Sequence, residues 1–487
     1  MSKDRWLWAV LILGGAVRLY HLGERSLSYD ECQQFWASQA NVLVSNREIT
    51  LDPPLFPALL HLHALLSRGE VWLRLLPCFF GILAIPAIYL LARSASRSTA
   101  TARTAAFFFA LAPYPIRYSQ SLRVYSLTLL LCALLPAAFL AFRDRGRSLD
   151  LWTLALLLCA TLLTMYGAVW LLLGMGAWLL VEAARERSAV PWKGFGALAA
   201  GMAGAIPFYV MSLPTQLRQG TPSSFYEDKF LPSEGLFTAI RFLARGTLDL
   251  AGYFTFIHPA AAVLFGLLAL LGVVALLRHR EGRPAVFLLA FSAAAAAAAS
   301  MLHLYPYGGT RQMLFASPLF YACAAAGIER LRSLRRGFFA NGILAVIAVG
   351  CGIFLHDYHT APGGQEMRPV ARYLEDHLRP GDRILVNKDA IPQFRFYYRG
   401  DPAAVTWGRE TVIRDYLSEA NGLLAAAPGS RWWLVFSHGW SAPRRSELAA
   451  VDPRFRPGER FEARQAAVYL FLPRDPGGAV APEGNRP

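Results

Sequence analysis

From Arg5 to about residue 356 the chain is a succession of apolar stretches, many close to twenty residues long, separated by short polar joints. A bilayer core of about 30 Å takes roughly 20 residues of helix to cross. In hydrocarbon every backbone N–H and C=O has to be satisfied internally, and a helix does this within one segment. The feature therefore restricts the chain to a polytopic α-helical membrane protein. Read with a window of about 19 residues, the expected spans are roughly 6–22, 72–92, 104–117, 122–142, 150–165, 167–184, 195–213, 259–277, 284–303, 311–328 and 338–356. That is about eleven crossings, two of them short. No A-x-A-like site follows the first, so it reads as an anchor rather than a cleaved signal. Pro86, Pro136 and Pro207 fall within spans, where neighbouring helices can satisfy the freed carbonyls.

Composition agrees: 55% of residues are hydrophobic and 17% charged, against about 25% charged in soluble domains. The formal charge is +15, from 48 Lys+Arg against 33 Asp+Glu. Sorted by loop, that excess becomes an orientation signal. With the N-terminus cytoplasmic, the inner joints carry Lys3 and Arg5, then Arg93, Arg97 and Arg103, then Arg143, Arg145 and Arg147. Arg185, Arg187 and Lys193, then Arg278, Arg280 and Arg283, then Arg330, Arg332, Arg335 and Arg336 continue the series. The outer joints are poorer in cations and carry Glu24, Asp30, Glu31, Glu48, Asp52, Glu227 and Asp228. The charge is thus explained by topology in the cytoplasmic membrane, and nucleic acid is not expected as a partner. Six cysteines form no C-x-x-C pair and lie mostly in apolar runs, which leaves neither a zinc knuckle nor a disulfide framework.

From Asp357 the texture changes to that of a soluble α/β fold. A helical stretch at 369–378 is followed by strand-like 383–386, 432–436 and 467–472, with a turn at Pro380-Gly381-Asp382. The expected organisation is a membrane module, 1–356, a small extracytoplasmic α/β domain, 357–473, and a disordered tail, 474–487.

Two outer segments, about 23–71 and 214–258, are longer than connection requires. In the first, Ser28-Tyr29-Asp30-Glu31 precedes Cys32, Phe35, Trp36, Ala40 and Leu43 at helical spacing, the pattern of an amphipathic helix in the membrane interface. A second helix is expected after Pro53-Pro54. Taken alone, an acidic pair in a loop is most often a cap, and Asp30 stands where the helix should begin. The functional alternative makes one carboxylate a general base. Cations form the second set: Arg74 opens the second span, Arg117 and Arg123 flank a joint, and Arg311 opens the tenth. Snorkelling accounts for any one of them; several beside an acidic loop fit a pocket for a lipid phosphate.

In order along the chain stand Arg18-Leu19-Tyr20, Tyr29-Asp30-Glu31, Pro53-Pro54-Leu55-Phe56, Trp72-Leu73-Arg74-Leu75-Leu76-Pro77 and Tyr118-Ser119-Gln120 … Arg123-Val124-Tyr125. This order resembles the polytopic GT-C glycosyltransferases of the protein mannosyltransferase and aminoarabinose transferase kind. The match covers the first 130 or so residues well, and Gly309-Thr310-Arg311 and an outside C-terminal domain suit the bacterial members. Asp52 stands where relatives often carry His, and Ser121-Leu122 where they often carry an acid. These departures bear on sub-family and substrate rather than on the chemistry.

The resemblance implies a hexosyl- or pentosyltransferase that uses a sugar on a polyprenyl phosphate at the outer face, with inversion, to glycosylate a lipid, glycan or protein acceptor. It maps the base to Asp30, with Glu31 as its partner or as a substrate hydrogen-bond acceptor, Arg123 and Arg74 toward the donor phosphate and Arg117 and Arg311 as further phosphate candidates. Tyr29, Asp52, Gln120 and Tyr125 are substrate candidates. Tyr125, Tyr166, Tyr305 and Tyr307 are candidates to line the donor cavity, although interfacial tyrosines are common. No metal is assigned; a divalent ion stays open, with Asp52, His61 and His63 as candidate ligands, although the two histidines face different sides of a helix. The competing readings are an oligosaccharide-transferring ligase of similar fold and a lipid or sugar transporter. A transporter calls for mid-span charges and internal repeats, and few such charges and no clear repeat are seen.

Overall fold

The structure, a computed structural model, describes residues 4–40, 52–185, 188–219, 223–232, 235–255, 259–334, 336–360, 364–437, 445–448 and 451–474. The expected disordered tail lies, beyond Arg474, outside the described residues, as do Leu43 and Glu48. The chain divides into two compact units: residues 1–22 with 37–360, and residues 23–36 with 361–487.

Among its described residues the first unit is built of helices and the turns that join them. Six of its helices are long and apolar enough to cross a bilayer: α4 (Glu70–Ser96), α7 (Tyr125–Arg145), α9 (Ala168–Arg185), α10 (Val190–Gln219, apolar through Met211), α13 (Arg283–Met301) and α15 (Gly337–Thr360). Around them stand α1 (Arg5–Leu19), α3 (Leu55–Ala64), α8 (Ser148–Leu162), α12 (Pro259–Leu277) and α14 (Ser317–Ser333). Local chemistry sets many ends. Asp4 caps α1 by accepting from Leu7 N at 3.4 Å, and Gly146, at φ +62°, closes α7. α12 and α14 meet backbone to backbone: a β-carbon at Gly272 would lie 1.7 Å from the Cys323 carbonyl oxygen, so only glycine fits there.

Two expected spans are broken. The stretch 104–117 is two helices, α5 (Thr99–Leu111) and α6 (Pro113–Ser119), with Ala112 extended between them at ψ 127°. Pro113 supplies no N–H and pushes the residue before it out of the helical region. Likewise 311–328 begins as a 3-10 turn, Arg311–Ala316, before α14 starts. The long segment 214–258 is no plain loop. It contains a 3-10 stretch, Ser223–Lys229, and a helix, α11 (Leu236–Thr255), burying Gly246, Leu250, Ala251 and Phe254 on one side.

The second unit holds α2 (Tyr29–Gln39) as far as Trp36, and a five-stranded sheet ordered β2-β1-β3-β5-β4. The strands are β1 (Arg383–Val386), β2 (Val405–Trp407), β3 (Trp432–Ser437), β4 (Phe455–Ala463) and β5 (Ala466–Pro473). β1 runs parallel to β2 and β3, while β5 is antiparallel to β3 and β4. All six residues of β3 are buried, as in a strand covered on both faces. Trp432, Leu434 and Phe436 pack with α18 (Ile413–Ala426). Trp433 and Val435 pack with α16 (Met367–His377) and α17 (Ile391–Tyr397).

Candidate functional site

The acidic segment belongs to the second, sheet-containing unit. Its backbone is held by side chains of that unit: Tyr397 Oη accepts from Leu27 N, Gln393 Nε2 donates to Leu27 O at 2.9 Å, and Gln365 Oε1 accepts from Tyr29 N at 2.5 Å. Ser26 Oγ donates to Glu366 at 2.7 Å, and Arg368 donates to the Gly23 and Glu24 carbonyls. The apolar face of α2, expected to lie in a membrane interface, is used as far as Trp36 within this unit. Phe35 meets Phe396 edge-on at 5.1 Å, Trp36 Nε1 donates to Pro392 O at 2.9 Å, and the Arg395 guanidinium sits 4.2 Å from the Trp36 ring centroid.

Ser28 and Glu31 form a capping box at the start of α2. Glu31 N donates to Ser28 Oγ at 3.4 Å, and Ser28 N donates to Glu31 Oε2 at 2.9 Å. The cap is therefore Ser28, where the sequence reading had offered Asp30. Glu31, buried, has a structural task, whereas Asp30 sits exposed in the first turn. The neighbouring Tyr29 phenol is pushed above its ordinary value by burial, with the charges of Asp389 and Asp30 adding to the effect. Gln34, one turn beyond Asp30, was not singled out from sequence. It is fully buried, and neither of its amide polar atoms has a hydrogen-bond partner. An unsatisfied buried polar group costs about 1–3 kcal/mol.

In the membrane unit the loop end is organised by the break between α5 and α6. Pro113 cannot donate to Phe109 O, and the kink frees Ala110 O. The buried Arg18 supplies both missing donors, Nη2 to Phe109 O at 3.1 Å and Nη1 to Ala110 O at 2.8 Å, while Nε donates to Ser119 Oγ. In return Gln120 Nε2 donates to the Tyr20 and Arg18 carbonyls at 2.7 and 3.2 Å, closing the C-terminus of α1. Gln120, expected near substrate, thus spends its amide on the backbone. Arg74, also buried, donates to Leu22 O at 3.3 Å. The Arg-x-Tyr and Tyr-Ser-Gln motifs are two halves of one brace.

Four predicted residues do come together at this end. Arg123 lies 3.5 Å from Asp52 and 5.6 Å from the Tyr125 ring centroid, and Arg311 donates to Tyr125 Oη at 3.1 Å. Tyr118 stacks obliquely on Tyr125 at 4.5 Å and is hydrogen-bonded to Tyr253, which stacks on Tyr114 at 4.4 Å. This tyrosine wall was missed because Tyr253 lies on α11, a helix hidden in what reads as a loop. Arg117 is exposed on α6. Tyr305 donates to Gln312 O and Tyr307 meets Thr247, so each has a partner inside the unit. Tyr166 packs edge-on against Tyr209.

The metal candidates do not form a ligand set. His61 Nδ1 bonds Ser38 O, His63 Nε2 bonds Trp72 O and its ring stacks on Trp72, and Asp52 is paired with Arg123. None of the three belongs to a cluster of metal-ligating side chains among the described residues.

Apolar helices braced at one end, with a small α/β unit after them, define a multi-pass membrane protein with the GT-C glycosyltransferase fold. ArnT from Cupriavidus metallidurans bound to undecaprenyl phosphate superposes with a TM-score of 0.62 at 13% identity, covering 96% of this chain and 98% of that one. The apo oligosaccharyltransferase of Archaeoglobus fulgidus gives 0.53 at 13% identity, covering 96% of this chain and 75% of that one. The same archaeal enzyme in complex with Zn and sulfate gives 0.53 at 11%, covering 88% and 67%. No protein-family model and no curated protein matches the sequence.

Proposed function

We propose that the protein is an inverting membrane glycosyltransferase, taking a sugar from a polyprenyl-phosphate donor and placing it on an acceptor hydroxyl at the extracytoplasmic face. The observation that carries this reading is end-to-end agreement of fold with a structure bound to undecaprenyl phosphate, in a chain whose acidic segment leaves Asp30 exposed.

In the reaction the acceptor oxygen attacks the anomeric carbon as the bond from that carbon to the phosphate oxygen breaks. The hydroxyl proton passes to the Asp30 carboxylate, and the leaving group departs as polyprenyl phosphate. An alcohol is a weak nucleophile until a base takes its proton, a contribution of typically 10²–10⁴-fold. The departing phosphate gains charge and needs cations more than an acid. Arg123, oriented by Asp52 and Tyr125, and Arg311, oriented by Tyr125, are assigned that task. A single displacement inverts the anomeric centre. Glu31 supports the base by building its helix turn, and the C-terminal unit supports it by holding the backbone of residues 23–36.

The test is transfer from a synthetic polyprenyl-phosphate sugar by the purified enzyme, wild type against Asp30→Asn. The reading expects transfer by the wild type and a drop of about 10²–10⁴-fold in the variant. Undiminished transfer by the variant would remove Asp30 from the mechanism, and no wild-type transfer from any such donor would remove the reaction.

A further inference from the structure

Away from the loop end, the membrane unit has a groove that the proposed reaction does not use. It lies between the C-terminal turns of α4 and α7 and the first turns of α8, encloses about 490 Å³ and is open on one side. That volume is within the range of about 300–1,000 Å³ usual for ligand pockets. Its floor is apolar and narrow-chained: Ala137, Ala138 and Ala141 of α7 leave a trough bounded by Leu90, Leu134 and Leu157. Its rim carries Arg93, Arg97 and Arg145 against a single acid, Asp144. Arg97 pairs with Asp144 and Arg145 with Asp150, yet the two arginine side chains remain 51% and 50% exposed. With Asp144 and Asp150 counted against Arg93, Arg97 and Arg145, one positive charge is left over at the end of the groove where α4 and α7 terminate.

A second observation concerns Arg97 itself. It closes α4 in the left-handed conformation, φ +56°, its N–H bonding Arg93 O. Glycine is the usual residue there, and a β-carbon makes the conformation unfavourable. An arginine kept at a strained position on the rim of a groove is a reason to look for a ligand for its charge.

We propose that this groove binds an anionic glycerophospholipid, one acyl chain lying along the alanine trough and the phosphate held among Arg93, Arg97 and Arg145. The apolar floor argues against free phosphate, and the surplus of cations argues against a zwitterionic lipid. The site is independent of the glycosyltransferase reading.

The test uses the full chain in an uncharged detergent, titrated with phosphatidylglycerol, phosphatidylcholine or inorganic phosphate, with bound species counted by native mass spectrometry. Phosphatidylglycerol should be retained at least about tenfold better than phosphatidylcholine, as several basic side chains at one headgroup require. The variant Arg97→Gly/Arg145→Gln should lose that preference by about tenfold while melting within a few degrees of the wild type, because glycine suits the helix end. Arg278→Gln/Arg280→Gln, exposed cations outside the groove, should keep it. Equal retention of both lipids, an unchanged preference in the first variant, equal loss in the second, or occupancy by inorganic phosphate alone would each overturn the proposal.

Discussion

The acidic segment of the sheet-containing unit and the arginine–tyrosine end of the membrane unit achieve order in opposite ways. Around Asp30 the polar side chains grip backbone: Gln365, Gln393, Tyr397 and Arg368 all bond main-chain atoms of residues 23–29. Around Arg123 the side chains hold one another, through Asp52, Tyr125, Arg311 and the tyrosine wall. The first arrangement fixes where one carboxylate stands; the second shapes a positive, aromatic surface. Substitutions in the first should therefore alter turnover through position, and substitutions in the second should alter how well a phosphate is held.

Asp30→Asn carries the largest expected effect, as above. Next is Arg123→Gln, expected to lower kcat/KM by about 10²-fold, the cost typical of removing a group that stabilises developing charge; Asp52→Asn should be milder, because the cation stays. A comparable loss in both variants would mean that the ion pair, not the cation, is what matters.

Loosening the tether should cost less. Gln393→Ala with Trp36→Phe removes donors to Leu27 and Pro392 and is expected to reduce kcat about tenfold with donor affinity unchanged, since misplacement of a reacting group lowers rate steeply. A change in donor affinity alone would put the tether's role elsewhere. Gln120→Ala leaves the carbonyls at the end of α1 without their donor, and should destabilise the membrane unit by about 1–3 kcal/mol in detergent unfolding. Its donor affinity in the surviving fraction should equal that of the wild type. The smallest effect is expected at Glu31→Gln, where glutamine still closes the capping box: activity within about twofold of the wild type, whereas a catalytic Glu31 would cost far more.

Much of this was legible in the sequence, for identifiable reasons. Apolar runs report on the bilayer directly, so the polytopic class could be read residue by residue. The clustering of Asp52, Arg123, Tyr125 and Arg311 was approached by type and order, though not by contact. What escaped was tertiary. Gln120 looks like a binding residue until the kink at Pro113 and the end of α1 show which carbonyls need donors. Ser28-x-x-Glu31 is a capping signature, but an acidic pair at the expected helix start draws the cap to Asp30 instead. Nothing local could reveal that residues 23–36 associate with a unit that begins more than three hundred residues later.

The most direct measurement sets Asp30→Asn beside Arg123→Gln, with donor affinity and turnover determined separately for a polyprenyl-phosphate sugar. The account predicts that Asp30→Asn binds donor like the wild type but transfers about 10²–10⁴-fold more slowly, while Arg123→Gln loses donor affinity as well as rate. Full turnover in Asp30→Asn, or unchanged donor affinity and rate in Arg123→Gln, would contradict it.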